Sequence, residues 1–503
     1  MISRSEIKMF AAQEPAFDDI MCSLTATGKQ PKGIIKETRE LIALARKFNQ
    51  EVTIPGALEL DRTMHADHDH LAWDYVKKAN EWGFYTLFLP KLFGGKGYTM
   101  SAIGFFLEEI ASHCLAIANI IGVHYLGVTK VSASWNIKIA DRILRDVVEG
   151  EKTGRPCLLS LAMTEPDAGT DSQNVEFMNS GNLRCHARKV DGGYVLNGTK
   201  IFISMGHMST WHLVHAYTDL NRAAENTVML AVKTGDKGFS FGKTEKKMGQ
   251  KGSVASELIF NDCFVPDENV CIDNAQMAKL KRCCRDTNAQ IFAYIWGASR
   301  MGVAAFGTGA ARGAFETALR FACANQLNGR RMVDYEWCQS MLAEMYKNVA
   351  LARAAYAEAN YANGLYGLMK ILNQKPAYYF MKFLPRGLFN GLNKWANAKP
   401  LNTWLMRKLN FDMQTDAEID RVDGWGSLAK VAGTDAGITN CRLALELMGQ
   451  AGVRQDQWAE KMLRDAKLLQ IYEGTNQINR INLFKRLIAR NCPDATVFTE
   501  TSI

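Results

Sequence analysis

Near the C-terminal end, a helical run through Leu463–Tyr472 stops at Gly474, and a second apolar-periodic stretch begins with Ile478, Ile481, Leu483, Phe484 and Leu487. Glu473 stands at that interruption, where a side chain can project into a cleft. A carboxylate withdrawn from water holds its proton more tightly, which is what a general base needs. The alternative for a lone glutamate at a helix end is a solvated surface charge. Two other segments carry possible chemistry. Leu161–Asp171 leaves a strand and enters a turn of small residues, with hydroxyls at Thr164 and Thr170. Such a turn lets the backbone approach a planar or anionic ligand, although an ordinary loop reads the same way. In Gly198–Ser204, Phe202 and Ser204 are two residues apart, so on a strand they share a face. A stacked ring beside a hydroxyl suits an isoalloxazine, and a buried strand would show the same pattern. His65, His68 and His70 lie close to two aspartates in HADHDH, but no distant ligand pair completes a metal set, so the stretch reads as a solvated helix start.

The elements that must position these residues fall into three parts. Residues 34 to about 157 have helical periodicity, as in IIKETRELIALARKF and SAIGFFLEEIASHCLAIANIIGV. From 158 to about 270 the pattern changes to period two. LRCHARKVDGGYVLNGTKIFISM reads as two strands turning through Asp191-Gly192-Gly193, and STWHLVHAYT, NTVMLAVKT and SELIFNDCFV continue the theme. From about 277 to 490 the pattern is helical again. The expected units are therefore 1–157, 158–276 and 277–503, an α+β chain that is mostly α with its strands segregated. The chain has 503 residues, 47% hydrophobic and 22% charged, which excludes a disordered or low-complexity protein. No run of about 18 consecutive apolar residues is present, and the N-terminus lacks the apolar core of a signal peptide. The 12 Cys show no CxxC spacing, so reduced thiols in a cytoplasm are expected. The net charge of +8 is concentrated in one place. Leu365–Phe411 holds eight basic residues (Lys370, Lys375, Lys382, Arg386, Lys394, Lys399, Arg407, Lys408) and no acidic one, and the rest of the chain is neutral.

In combination the three chemical segments resemble the acyl-CoA dehydrogenases, FAD enzymes that oxidise an acyl-CoA thioester to the 2,3-enoyl-CoA. TEPDAGTD resembles the family's TEPxAGSD turn, GTKIFIS its GxKxWIT strand, and RDAKLLQIYEGTNQINR its C-terminal signature. MGQKGSVASELIFNDCFVP and MLAEM with the Ala-rich helix that follows are also similar, and the resemblance covers roughly 35–363 and 425–490. It implies an N-terminal helical domain, a β-barrel-like middle domain and a C-terminal helical bundle, assembled as a homo-oligomer, dimer or tetramer.

The resemblance also implies roles. Glu473 matches the family's base, which takes the α-proton as hydride leaves the β-carbon for flavin N5, while its backbone N–H and a ribityl hydroxyl hold the thioester oxygen. Leu161, Thr164, Phe202 and Ser204 match positions lining the flavin, and Thr170 a hydroxyl at the boundary of FAD and CoA. Glu446, Gly449, Gln450, Thr475 and Gln477 complete the implied FAD set, with the MGQAG turn approaching the cofactor of a partner subunit. Arg300 and Gly474 are the further implied substrate contacts. Two departures stand out. The acidic residue usually three positions before Arg300 is Gly297, and the usual phosphate-pairing arginine falls on Asn325, with Arg330 and Arg331 nearby. The implied acceptor is an electron-transfer flavoprotein or a membrane carrier. An enoyl-CoA reductase or acyl-CoA oxidase on the same scaffold is the alternative, as is a flavin-poor relative that binds a polyanion; nucleic acid is not the expected partner.

The basic segment 365–425 is an insertion the family does not usually carry. Leu384, Leu388, Phe389, Leu392 and Trp395 fall on one helical face, with Arg386, Asn390, Asn393 and Lys394 opposite, and Leu401, Trp404, Leu405 and Leu409 repeat the pattern after Pro400. This pattern predicts docking on the protein's own bundle or on a neighbouring subunit, a helix lying on an anionic membrane, or a surface for an acidic protein partner.

Overall fold

In the computed structural model, residues 3–5, 21–489, 492 and 495–497 are described, so the reading of the N-terminal segment lies largely outside them. The first part of the chain is helical: α1 (Cys22–Lys29), α2 (Gly33–Phe48), α3 (Ile54–Ala66), α4 (Trp73–Glu81), α5 (Ile103–Ala111), α6 (Leu115–Ala133) and α7 (Ile137–Lys152). The apolar run beginning at Ser101 is two helices, because the chain turns at Ser112–Cys114, where Ser112 donates back to the Glu109 carbonyl. Among the described helices only α6 is long and apolar enough to span a bilayer, and most of it is buried inside the protein.

The middle part is an eight-stranded sheet. Its strands are β1 (Leu159–Ala162), β2 (His186–Val190), β3 (Gly193–Ser204), β4 (Trp211–Tyr217), β5 (Thr227–Lys233), β6 (Phe239–Thr244), β7 (Ala255–Pro266) and β8 (Val270–Ile272). The order is β6-β7-β3-β2-β4-β5-β8, with β1 running parallel to β4 in register Leu159↔Trp211. The β2–β3 hairpin closes with Val190 opposite Gly193, and Gly192 adopts φ +76° in the turn. Strands β6 and β8 carried too few alternating apolar residues to stand out in the sequence. Leu196, Val214, Leu230, Leu258 and Phe260 form a separate core on one side of this sheet. Short helices α8 (Val175–Met178) and α9 (Asn274–Met277) flank it.

The last part consists of α10 (Cys284–Ala324), α11 (Glu336–Tyr366), α12 (Lys375–Phe383), α13 (Arg386–Ala398), α14 (Pro400–Arg407), α15 (Asp416–Met448), α16 (Trp458–Lys467) and α17 (Asn476–Leu483). Helices α10 and α15 touch backbone to backbone. A Cβ on Gly307 would lie 2.4 Å from the Gly433 carbonyl, so only glycine permits the approach.

The insertion folds onto the protein's own N-terminal helices, through only part of the face its pattern suggests. Helix α13 turns Phe389, Asn393 and Ala396 inward and leaves Leu388 and Trp395 exposed. Asn393 is buried because its amide donates to the Leu92 carbonyl (3.1 Å) and to Asp141 (2.5 Å), and a satisfied amide can be buried cheaply. Much of the expected basic surface is also consumed. Arg407 is buried and donates to the carbonyls of Ser134 and Cys271. Lys382 pairs with Glu37 at 2.7 Å, and Lys408 with Asp412 at 2.7 Å.

Candidate active site

Glu473 lies in a sharp turn between α16 and α17. Both Glu473 (φ +56°) and Gly474 (φ +77°) have left-handed backbone, and Thr475 then caps α17 by accepting from the Ile478 N–H. The strain at a non-glycine residue is held from three sides. Arg300 Nε reaches the Glu473 carbonyl (3.4 Å), Lys430 Nζ donates to the Gly474 carbonyl (2.7 Å), and Asn479 Nδ2 donates to the same carbonyl (3.0 Å). The Glu473 carboxylate itself accepts from Ser299 Oγ at 2.7 Å. Burial pushes its proton affinity above the ordinary carboxylate range, against the Ser299 hydrogen bond and the charges of Arg300 and Lys430, which pull the other way. The same burial, with Arg300 alongside, lowers Lys430 to about 7.

This turn opens on a cavity of about 420 Å³ where the three parts of the chain meet. Of the residues singled out in the sequence, Leu161, Thr164, Thr170, Phe202, Ser204, Glu473, Gly474 and Thr475 all line it. Phe202 reaches it through an irregularity. The β3–β7 register shifts between Lys200 and Ile203, Phe202 takes φ +58°, and the residue is 56% exposed. The Leu161–Asp171 turn is anchored underneath by a fully buried ion pair, Lys200 Nζ to Glu165 Oε1 at 2.8 Å. Glu165 also accepts from the backbone N–H groups of Arg184 and Cys185. An exposed ring, the hydroxyls of Thr164, Thr170 and Ser204, and the unpartnered Gln173 Oε1 at one cavity suit a flat ligand with polar edges, which is the shape of a flavin ring.

Other expected residues lie elsewhere. Arg300 is not on the cavity wall. It is 1% exposed, with its guanidinium on Asp423 (2.6 Å) and Ser427 (3.0 Å), so in this structure it supports the Glu473 turn from behind. The Gly297 departure goes with this arrangement: a Cβ there would come within 2.3 Å of Val422, so glycine lets α15 approach closely enough for Asp423 to supply the acid. Glu446, Gly449, Gln450 and Gln477 are exposed and outside the cavity. Asn325 is exposed at the end of α10, its amide returned to the Phe321 carbonyl, while Arg331 is held by Asp334 and Arg330 lies over the Tyr335 ring. Ser299, Lys430 and Asp423 were not singled out in the sequence. Ser299 adjoins Arg300, which was the only available hint, and the other two are brought in by α15 from far along the chain.

The HADHDH stretch holds His65 against Asp61 and Asp69 against Thr244, and among the described residues no group of three or more His, Cys, Asp or Glu is placed to hold a metal.

Comparison with known proteins agrees with this geometry. Family models match in order: acyl-CoA dehydrogenase N-terminal domain over residues 36–151, middle domain over 160–263, and C-terminal domain over 293–364 and 406–488. The acryloyl-CoA reductase (NADH) of Anaerotignum propionicum is 27% identical, over 91% of this chain and 96% of the relative. The short-chain-specific acyl-CoA dehydrogenase of Clostridium acetobutylicum is 25% identical over 89% and 97%. The butyryl-CoA dehydrogenase structure from Megasphaera elsdenii superposes with a TM-score of 0.66 at 21% identity, covering 90% of this chain and 98% of that one. With the three domains matched in sequence order across most of its length, the chain belongs to the acyl-CoA dehydrogenase family of oxidoreductases that act on CH–CH bonds.

Proposed function

We propose that the protein catalyses the α,β-desaturation of an acyl-CoA thioester in the cytoplasm, with Glu473 as the base that removes the α-proton. The observation that carries this reading is the Glu473 carboxyl, raised by burial and held by Ser299 on the wall that also presents Thr164, Phe202 and Ser204. The α-proton beside a thioester is weakly acidic, so a desolvated carboxylate is the matched partner for it. The Glu473 backbone N–H has no acceptor among the described residues, which leaves it free to hold the thioester oxygen. FAD is the cofactor, and when bound it supplies the hydride acceptor. Thr164, Thr170, Phe202 and Ser204 would hold it, and the exposed Glu446, Gly449 and Gln450 would meet the cofactor of a second copy in a homo-oligomer. The electrons pass to an electron-transfer flavoprotein or a membrane acceptor. Anaerobic titration of the holoenzyme with acyl-CoA tests the base. Glu473→Gln keeps the shape of the side chain, so acyl-CoA still binds while bleaching of the flavin band slows by at least about 10²–10⁴-fold. A variant that bleaches at the wild-type rate places the base elsewhere.

A second property concerns where the enzyme sits. Phe380, Phe383, Leu388, Trp395, Leu401, Trp404 and Leu405 on α12–α14 are each at least 45% exposed, with Lys394 and Lys399 among them. Aromatic and apolar side chains interspersed with lysine match an anionic membrane surface, and we propose peripheral attachment there, near a membrane electron acceptor.

A further inference from the structure

The cavity is not apolar throughout. One part of its wall is built by Ser101 at the entry to α5, by Asn360 and Asn363 near the end of α11, and by Leu368, Met369 and Asn373 just beyond. These groups are neighbours. Asn360 Nδ2 donates to the Ser101 carbonyl at 2.6 Å, Asn373 Nδ2 to the Gly364 carbonyl at 3.4 Å, and a Cβ on Gly364 would lie 3.4 Å from Ser101 Oγ. Thr99 Oγ1 in turn donates to Asn373 Oδ1 at 3.2 Å, so the start of the insertion is tied to this corner.

Part of the hydrogen-bonding capacity there is unused. Ser101 is 5% exposed, and its hydroxyl has no partner among the described residues. The Asn363 amide spends both N–H groups on the carbonyls of Gly297 and Ala359, the Asn360 amide spends one of its two on the Ser101 carbonyl, and no described group donates to either Oδ1. A buried hydroxyl without a partner is costly unless a ligand supplies one. The charge on the wall narrows the choice of ligand. Among the described residues Glu473 is the only Asp, Glu, Lys, Arg or His on the wall, so no described cation there would neutralise an anionic substituent. Two free side-chain carbonyl oxygens, one free amide N–H and a hydroxyl suit an uncharged group that both donates and accepts.

We propose that this corner binds an uncharged hydroxyl group carried on the acyl chain, which can donate to the asparagine oxygens and accept from Ser101, so that the preferred substrate is a hydroxylated acyl-CoA. The inference rests on the desaturase reading of the site and refines its substrate class. Ser101, Asn360 and Asn363 lie within regions that the family models match, and Leu368, Met369 and Asn373, which complete the corner, belong to the stretch between residues 364 and 406 that the C-terminal model does not match.

The test uses the holoenzyme, followed anaerobically by flavin bleaching. The probes are octanoyl-CoA and its monohydroxylated forms, with the hydroxyl moved from the γ-carbon to the ω-carbon. At one position kcat/KM exceeds that of the plain chain by about tenfold, the effect of one well-made hydrogen bond in place of an unpaired buried group. Ser101→Ala removes a hydroxyl that no protein group uses, so it abolishes most of the preference, read within the variant as the ratio of kcat/KM for the hydroxylated and plain chains. The wild-type panel is a readout that does not depend on the variant. Bleaching by plain chains with no hydroxyl position preferred, or a preference unchanged in Ser101→Ala, overturns the inference and leaves the desaturase reading standing. If no acyl-CoA of either kind bleaches the flavin, both readings fall together.

Discussion

Ser299→Ala separates the chemistry of the base from its placement. The Ser299 hydroxyl donates to Glu473 Oε2 at 2.7 Å, and it favours the ionised carboxylate against the burial that opposes it. The protonated carboxyl gains less from that bond, so removing it raises the proton affinity of Glu473 further. A hydrogen bond to a charged group contributes about 1.5–3 kcal/mol. On the acid limb of the pH profile, that loss lowers the fraction of Glu473 present as base by about ten- to a hundredfold. At alkaline pH the carboxylate is regained and the rate recovers, because Arg300, Lys430 and Asn479 still hold the turn. The assay is the rate of anaerobic flavin reduction by saturating acyl-CoA across pH, in wild type, Ser299→Ala and Ser299→Thr. The expected outcome is an acid limb displaced toward higher pH in the alanine variant and restored by threonine, with a common alkaline plateau. An acid limb that stays in place would refute the argument. A uniform loss of rate at every pH would show that Ser299 positions Glu473 without setting its protonation.

Asp423→Ala leaves the buried Arg300 and the neighbouring Arg486 without their shared carboxylate, and a broken buried pair of this kind costs about 3–5 kcal/mol of stability. Chemical denaturation measures the cost, and an unchanged midpoint would show that solvent reaches the pair. For the membrane surface, the full chain is expected to co-sediment with anionic liposomes at low salt and to be released at high salt, and a Phe383→Ser, Leu388→Ser, Trp395→Ser variant to stay in solution. A wild-type protein that ignores anionic liposomes at low salt rules the attachment out.

The parts of this molecule that could be read from the sequence are those written locally. Alternation revealed β2–β5 and β7, and the dipeptide Asp191-Gly192 revealed the hairpin, because a left-handed turn residue is a local requirement. The cavity set was legible for a related reason: Leu161–Asp171, Gly198–Ser204 and Tyr472–Thr475 are compact motifs, each of which places its own side chains on the wall. What stayed hidden depends on pairs of distant residues. Nothing around Arg300 announces that Asp423 will meet it, since that contact exists only because Gly297 lets α15 come close. The same holds for α13. Its apolar periodicity was real, but which side of the helix faces the protein was decided by Asp141 and the Leu92 carbonyl, two acceptors more than two hundred residues upstream that make it favourable to bury Asn393 and leave Trp395 outside. Ser101 and Asn373 follow the same logic. Neither carries a motif, and they become part of one site only because the insertion is folded back against the entry to α5. In this family member the reacting end of the cavity is therefore specified by motifs, and the end that would select the substrate is specified by packing.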